Sequence, residues 1–289
     1  MITAEHEQAK PSADESFADA VAVDFCDAEH DLFGLVWMTR LPGADRSRAS
    51  AMIFSNGELV EDLQLEHTRT IESWADARLD GVGMSMATPL ERWSIAARGT
   101  QASVELDLGA LTPPRELIGE ELGEMAGIQQ YEQLCRLSGT IEYAGRTYPV
   151  RCLGRRVHSW GEFAWDRVER WRTLYVASLE GRAISAAGAL PSGSDGHEQE
   201  VRSACFLDVD EASPFEDVRI STVFSADGFP KKVGLELLRA EDEFPQRMGG
   251  EVVCGARARR GDHDILISFF RWSIDGEPAY GSYELVTRL

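Results

Sequence analysis

From Leu32 to its end the chain is a succession of short apolar segments closed by turn formers, and that texture restricts the fold more than any single motif. Residues 101–108 alternate strictly, with Ala102, Val104, Leu106 and Leu108 on one side and Gln101, Ser103, Glu105 and Asp107 on the other. Period two belongs to a strand with one buried and one wetted face. Residues 32–38 read as a strand ended by Leu41-Pro42-Gly43. Residues 51–54 run into Ser55-Asn56-Gly57, and Asn-Gly is a strong hairpin signal. Residues 137–143 and 147–153 flank an Ala144-Gly145 turn, and 173–179 and 183–190 flank Glu180-Gly181. Residues 201–209 read as a further strand, and Asp227-Gly228 and Gly261-Asp262 as further turns. Residues 265–270, Ile-Leu-Ile-Ser-Phe-Phe, are apolar on both sides, as in a strand packed on both faces. Asp275-Gly276 turns the chain into a last strand, 279–286.

One stretch breaks the pattern. Residues 116–133 carry Leu117, Leu122, Met125 and Ile128 at helical spacing, interrupted by Gly119, Gly123 and Gly127. The glycines leave it open whether this is a helix or a partly ordered connection. With at most one helix, the expected class is all-β, built of antiparallel barrels or sandwiches. The two halves have similar texture. We expect a flexible polar leader or one frayed helical turn over 1–22, one β domain over 23–155 and a second over 156–289.

Composition narrows the function. With 43% hydrophobic residues in 289, the chain can bury a large core. No apolar run approaches the roughly 20 residues that span a bilayer, and the start lacks a signal-peptide pattern. The expectation is a cytoplasmic protein without membrane insertion, whose oligomeric state the sequence does not set. A formal net charge of −20 repels phosphate backbones, so nucleic acid is not an expected partner. The five cysteines are widely spaced with no CxxC pair, which argues against a zinc site or a disulfide framework. No P-loop, dinucleotide fingerprint, HExxH or GxSxG occurs. Asp262-His263-Asp264 looks like a metal cluster on paper, but neighbouring residues of a strand diverge. Neither a metal nor an organic cofactor is expected.

The chemistry concentrates in Gly154-Arg155-Arg156-Val157-His158-Ser159-Trp160-Gly161, with Trp165 and Trp171 close behind. If extended, this segment puts Arg156, His158 and Trp160 on one face and Arg155, Val157 and Ser159 on the other. Arg156 disfavours an imidazolium and leaves His158 neutral, as a base or an anchor. Glu162 is a candidate acid, since burial raises a carboxyl pKa. The competing reading is a hydrogen-bonded core histidine among core indoles.

Tyr131-Glu132-Gln133, then Leu137-Ser138-Gly139-Thr140, the Gly145-Arg146 turn and Arg155-Arg156-Val157-His158-Ser159-Trp160-Gly161 together resemble the carotenoid 1,2-hydratase (hydroxyneurosporene synthase) superfamily, in particular its bacterial AttH-like branch. Asp275-Gly276 and Tyr280-Gly281 fit as well. The resemblance runs from about Leu32 to the end. It implies two lipocalin-like β domains around an apolar cavity and no redox cofactor. The superfamily includes hydratases of carotenoid and isoflavonoid alkenes and fungal enzymes that promote Diels–Alder cyclisation. On these readings together, His158 and Glu162 are the expected catalytic residues, and Arg156, Trp160, Trp165, Tyr131 and Trp171 the expected substrate-binding ones.

The departures are specific. The branch reads Asp before the motif histidine where this chain has Val157, and Arg-Asp before the following Trp where it has Phe163-Ala164. A mechanism that used those carboxylates cannot be carried over. The expected function is a cofactor-independent enzyme on a bulky hydrophobic molecule (terpenoid, polyketide or steroid-like), by cyclisation, isomerisation or alkene hydration. The alternatives are a non-catalytic carrier of a lipophilic ligand and a purely structural role for the motif.

Overall fold

The computed structural model describes residues 2–209, 212–260, 262–274 and 276–288. Gly261 and Asp275, which the sequence places in turns, lie outside the described residues. The chain divides into two units. One comprises residues up to Glu116 together with Gly127–Phe163, and the other comprises Leu117–Ala126 with the residues from Ala164 on.

The first unit is a single antiparallel sheet. Its strands are β1 (Ala18–Asp27), β2 (Leu32–Leu41), β3 (Arg46–Ser55), β4 (Glu58–His67), β5 (Ala77–Leu79), β6 (Val82–Thr88), β7 (Arg92–Arg98), β8 (Ala102–Ala110), β9 (Arg115–Glu116), β10 (Ile128–Tyr143) and β11 (Arg146–Gly161). The order is β4-β3-β2-β1-β11-β10-β8-β7-β6-β5, with the short β9 on β10. The sheet curls until β5 approaches β3 and β4. Its concave side carries one core, including Val21, Val23 and Phe25 of β1, Val36 and Met38 of β2, Trp93 and Ile95 of β7, and Cys135 and Leu137 of β10. Burial pushes the Cys135 thiol up to about 11, so it is an inert part of that core.

Local chemistry sets the turns. Asn56 and Gly57 both have positive φ, 52° and 80°, the geometry of a two-residue hairpin turn. Ala144 and Gly145 repeat it at 52° and 73° between the two 16-residue arms β10 and β11. The motif glycines differ in purpose. A Cβ on Gly154 would lie 2.2 Å from the Asp24 carbonyl oxygen of the adjacent strand. Gly161 has φ of 140°, and a Cβ there would lie 2.3 Å from the Gly127 carbonyl oxygen. Both constraints act on Gly161, so Gly161→Ala is expected to lower stability by about 2–4 kcal/mol, read as a shifted urea midpoint.

The second unit contains α1 (Glu120–Ala126), β12 (Val168–Ser178), β13 (Ala183–Pro191), β14 (Val201–Leu207), β15 (Ala212–Pro214), β16 (Asp217–Phe224), β17 (Pro230–Leu238), β18 (Gln246–Arg260), β19 (His263–Ile274) and β20 (Glu277–Arg288). The order is β15-β14-β13-β12-β20-β19-β18-β17-β16. Its core includes Leu174, Ile184, Leu235, Phe270, Trp272 and Tyr283. Residues 265–270 are buried throughout, Ser268 included, as expected of a strand apolar on both sides.

The all-β expectation holds, with three differences. Of the 116–133 segment only Glu120–Ala126 is helical. Gly127, at φ of 73°, stops it in the left-handed conformation, and β10 begins one residue later. The boundary between units lies between Phe163 and Ala164 rather than at 155/156, because β11 pairs along its whole length with β10 and also with β1. The segment 1–22 is not a loose leader either: β1 starts at Ala18, and the Glu7 side chain is fully buried. No helix among the described residues is long and apolar enough to cross a membrane.

Candidate functional site

β11 is central to its sheet, flanked by β1 and β10. Its alternation puts Arg156, His158 and Trp160 toward the concave side. Arg156 lies opposite Val23 and Gln133, His158 opposite Val21 and Tyr131, and Trp160 opposite Asp19 and Gln129. Since Val21 and Val23 belong to the core, the polar side chains that share their face are drawn into the barrel interior. The motif is extended strand throughout, not a bend.

A buried chain of polar groups results. His158, 0% exposed, hydrogen-bonds through Nε2 to Asp19 Oδ1 at 2.8 Å and through Nδ1 to the Tyr131 hydroxyl at 3.1 Å. The other carboxylate oxygen of Asp19 accepts from Arg40 Nη1 at 2.6 Å, the Lys10 backbone N–H at 2.8 Å and Trp74 Nε1 at 3.3 Å. Tyr131 donates to Glu7 Oε1. Glu7 Oε2 accepts from Trp93 Nε1 at 2.7 Å, and Arg156 Nη1 stands 2.8 Å from Glu7 Oε1. Arg156 donates through Nη2 to Gln133 Oε1 and lies over the rings of Trp93 and Tyr131, 4.9 and 5.5 Å from their centroids. Gln133 is fixed in turn by donating to the carbonyls of Leu90 (2.9 Å) and Thr112 (3.1 Å).

The charges balance. Asp19 pairs with Arg40 and Glu7 with Arg156, and His158 lies between the two pairs. Burial pushes the imidazole below its ordinary value; Asp19 and Glu7 pull it up less strongly, and Arg156 adds a small push down. The sequence reading of a neutral His158 is therefore right in direction, but burial is the main cause rather than Arg156. For Asp19, burial acts upward and is outweighed by the bonds to His158, Lys10 and Arg40, so its carboxyl titrates below its ordinary value. With Asp19 ionised and His158 neutral, Nε2 carries the ring proton and Nδ1 is the acceptor. The single proton of Tyr131 then serves either Nδ1 or Glu7.

Aromatic walls surround these groups. Trp160 packs edge-on to His158 at 5.3 Å between centroids and to Tyr131 at 6.0 Å, and Trp74 edges His158 at 5.9 Å. The N-terminal segment covers the indole of Trp160, with Lys10 Nζ 4.8 Å from its centroid and the His6 ring at 6.1 Å.

Of the residues singled out from sequence, Tyr131, Arg156, His158 and Trp160 come together here. Glu162 does not join them: it follows the end of β11, is exposed, and lies near Asp14. Trp165 and Trp171 belong to the second unit, where Trp165 packs on the His263 ring at 4.1 Å and Trp171 is buried in β12. Glu7, Asp19, Arg40, Trp74 and Trp93 were not foreseen. Only Asp19 left a trace, since it alternates with Val21, Val23 and Phe25. Around His263 only Asp264 turns away, toward Arg257; Asp262, contrary to the expected divergence, keeps Oδ1 2.9 Å from His263 Nδ1 and also reaches Arg288. No cluster that could hold a metal occurs among the described residues. A recess of about 370 Å³ elsewhere on the first unit is lined by Arg78, Ser85, Ser94, Glu105 and Thr140 among others, and no member of the His158 chain lines it.

Comparison with solved structures places this architecture. The fold is similar to that of the AttH-like protein NE1406 of Nitrosomonas europaea, with 15% identity over 94% of this chain and 92% of that one and a TM-score of 0.66. It is similar to CghA, solved with Sch210972, at 12% identity over 94% and 88% and a TM-score of 0.65. Kievitone hydratase from Nectria haematococca gives 13% identity over 99% and 93%, with a TM-score of 0.68. The fold is thus all-β and lipocalin-like, and the resemblance read from the Tyr131 to Gly161 motifs is borne out at the level of fold. A sequence comparison with curated proteins found no match. The sequence profile of a family described as a domain of unknown function (DUF7064) matches residues 3–288, and the chain belongs to that family.

Proposed function

We propose that the chain is a cofactor-independent enzyme that moves a proton on a hydrophobic small molecule at the barrel end framed by Trp74, Trp93, Tyr131 and Trp160. The observation that carries this reading is the chain Tyr131–His158–Asp19. A neutral imidazole is held by an ionised carboxylate on one side and faces a phenol on the other. That is the arrangement acid–base catalysis requires, with each member oriented by the next.

Tyr131 is the group placed to touch substrate once Glu7 moves aside, and His158 and Asp19 act through it. In an isomerisation, Tyr131 oxygen accepts a proton from a substrate carbon while its own proton passes to His158 Nδ1. Asp19 stabilises the imidazolium so formed. The proton then returns through Tyr131 to a second carbon, leaving the enzyme unchanged and no electrons transferred. In alkene hydration Tyr131 gives its proton to one carbon, water adds to the other, and the proton that water sheds passes to the Tyr131 oxygen, which restores the relay. The aromatic walls steady developing positive charge by about 0.5–2 kcal/mol per contact. The similarity of fold to kievitone hydratase supports an enzymatic role of this kind. The aromatic walls suit a second reading, a carrier that binds a lipophilic ligand without converting it, whereas complete burial of His158 favours a structural role for the motif.

The test is incubation of the full chain in D2O with terpenoid, polyketide and steroid alkenes and enones. The enzyme reading expects deuterium in recovered substrate or product, reduced at least 100-fold in Tyr131→Phe and in His158→Gln. Binding without exchange in any case selects the carrier.

A further inference from the structure

We infer that the barrel end is a carboxylate-binding site, occupied here by the chain's own Glu7, and that the substrate or ligand carries a carboxylate on a hydrophobic body. The receptor is built wholly from the sheet: Trp93 on β7, Tyr131 on β10 and Arg156 on β11. It is organised without help from Glu7. Gln133 and two aromatic faces hold the guanidinium, and two backbone carbonyls hold Gln133.

The occupant is of a different kind. Glu7 ends a four-residue 3-10 turn (Ala4–Glu7) whose other residues are partly or fully exposed. Its fit is incomplete. Arg156 Nη1 lies 2.8 Å from Glu7 Oε1, yet this buried nitrogen has no aligned hydrogen-bond acceptor. A buried guanidinium left with an unused donor is costly, and a carboxylate approaching along a better line would satisfy it. The N-terminal segment also lies over Trp160 through Lys10 and His6. Its withdrawal therefore vacates the carboxylate cradle and bares an indole beside it, which is the pairing an amphipathic carboxylate needs. With Glu7 gone, Asp19, Arg40 and Arg156 leave the pocket one positive charge in excess, which attracts an anion.

This inference shares Tyr131 and the displacement of Glu7 with the proposed function, and its test is independent of turnover. Octanoate and octanamide are titrated calorimetrically into the wild type, Glu7→Gln and Glu7→Gln/Arg156→Met. Octanoate is expected to bind Glu7→Gln at least tenfold more tightly than the wild type, octanamide to bind neither measurably, and the double variant to lose octanoate binding. In Glu7→Ala, propionate but not propionamide is expected to restore the melting temperature saturably. In the wild type, octanoate is expected to speed deuterium exchange at the Lys10 amide, which now donates to Asp19. Equal binding of amide and carboxylate, or octanoate binding that survives Arg156→Met, overturns the inference. Octanoate bound without any proton exchange in the D2O experiment refutes catalysis and leaves the carboxylate site standing.

Discussion

Arg156→Met is expected to destabilise the protein by about 3–5 kcal/mol, because it leaves the Glu7 carboxylate buried without its cation. The side chain is 1% exposed and Glu7 0%, so solvent screens neither. The change also strips Gln133 Oε1 of its donor and removes a cation from between Trp93 and Tyr131. Methionine keeps much of the length and apolar bulk, so little of the loss comes from a cavity. The decisive comparison is Glu7→Gln/Arg156→Met. With the carboxylate neutralised as well, the double variant is expected to recover at least about 1–2 kcal/mol of the sum of the single losses. Urea unfolding followed by tryptophan fluorescence measures each corner of the cycle. Additive losses would mean that Arg156 matters for packing alone.

Asp19→Asn is the second large effect. Asp19 accepts from His158, Arg40, Trp74 and the Lys10 backbone, and its replacement leaves the Arg40 guanidinium uncompensated at 5% exposure. A loss of about 3–5 kcal/mol near neutral pH is expected. The wild-type pH profile carries the same information. Asp19 titrates below its ordinary 3.8 in the folded state, so its stabilisation is complete above that value and is lost as pH falls through the depressed one. His158 titrates below its ordinary 6.5 when folded, so the unfolded chain takes the proton first and stability begins to fall as pH drops below about 6.5. His30 contributes with the opposite sign. Asp27 raises its pKa, and its part of the stability is lost as pH rises through that raised value. His158→Gln is therefore expected to flatten the slope just below pH 6.5, and Asp19→Asn to flatten the one below about 3.8. An unchanged slope in both would place the titration elsewhere.

The strands were legible because burial on one face writes period two into the chain, as at Ala102 to Leu108, and because Asn56-Gly57 and Ala144-Gly145 admit tight turns. Residues 116–133 stayed open because Ile128 continues the helical spacing of Leu122 and Met125 past Gly127, which in fact ends the helix. Within the site, alternation along one strand was enough to align Arg156, His158 and Trp160. The partners were hidden because they come from distant sequence: Asp19 is 139 residues from His158 and Glu7 is 124 from Tyr131. Glu7 shows no periodicity, so only tertiary structure reveals that this polar stretch enters the barrel. Glu162 looked like an acid from its neighbours, but β11 ends at Gly161 and leaves it in solvent.

The central claim is that a neutral imidazole, bonded to Asp19 through Nε2–H, stands ready to take a proton through Tyr131. Ring nitrogen-15 chemical shifts of His158 measure this directly, assigned by their loss in His158→Gln. A protonated Nε2 and a bare Nδ1 are expected at pH 7, persisting below pH 6.5. An imidazolium at pH 7, or a proton on Nδ1 alone, would contradict it.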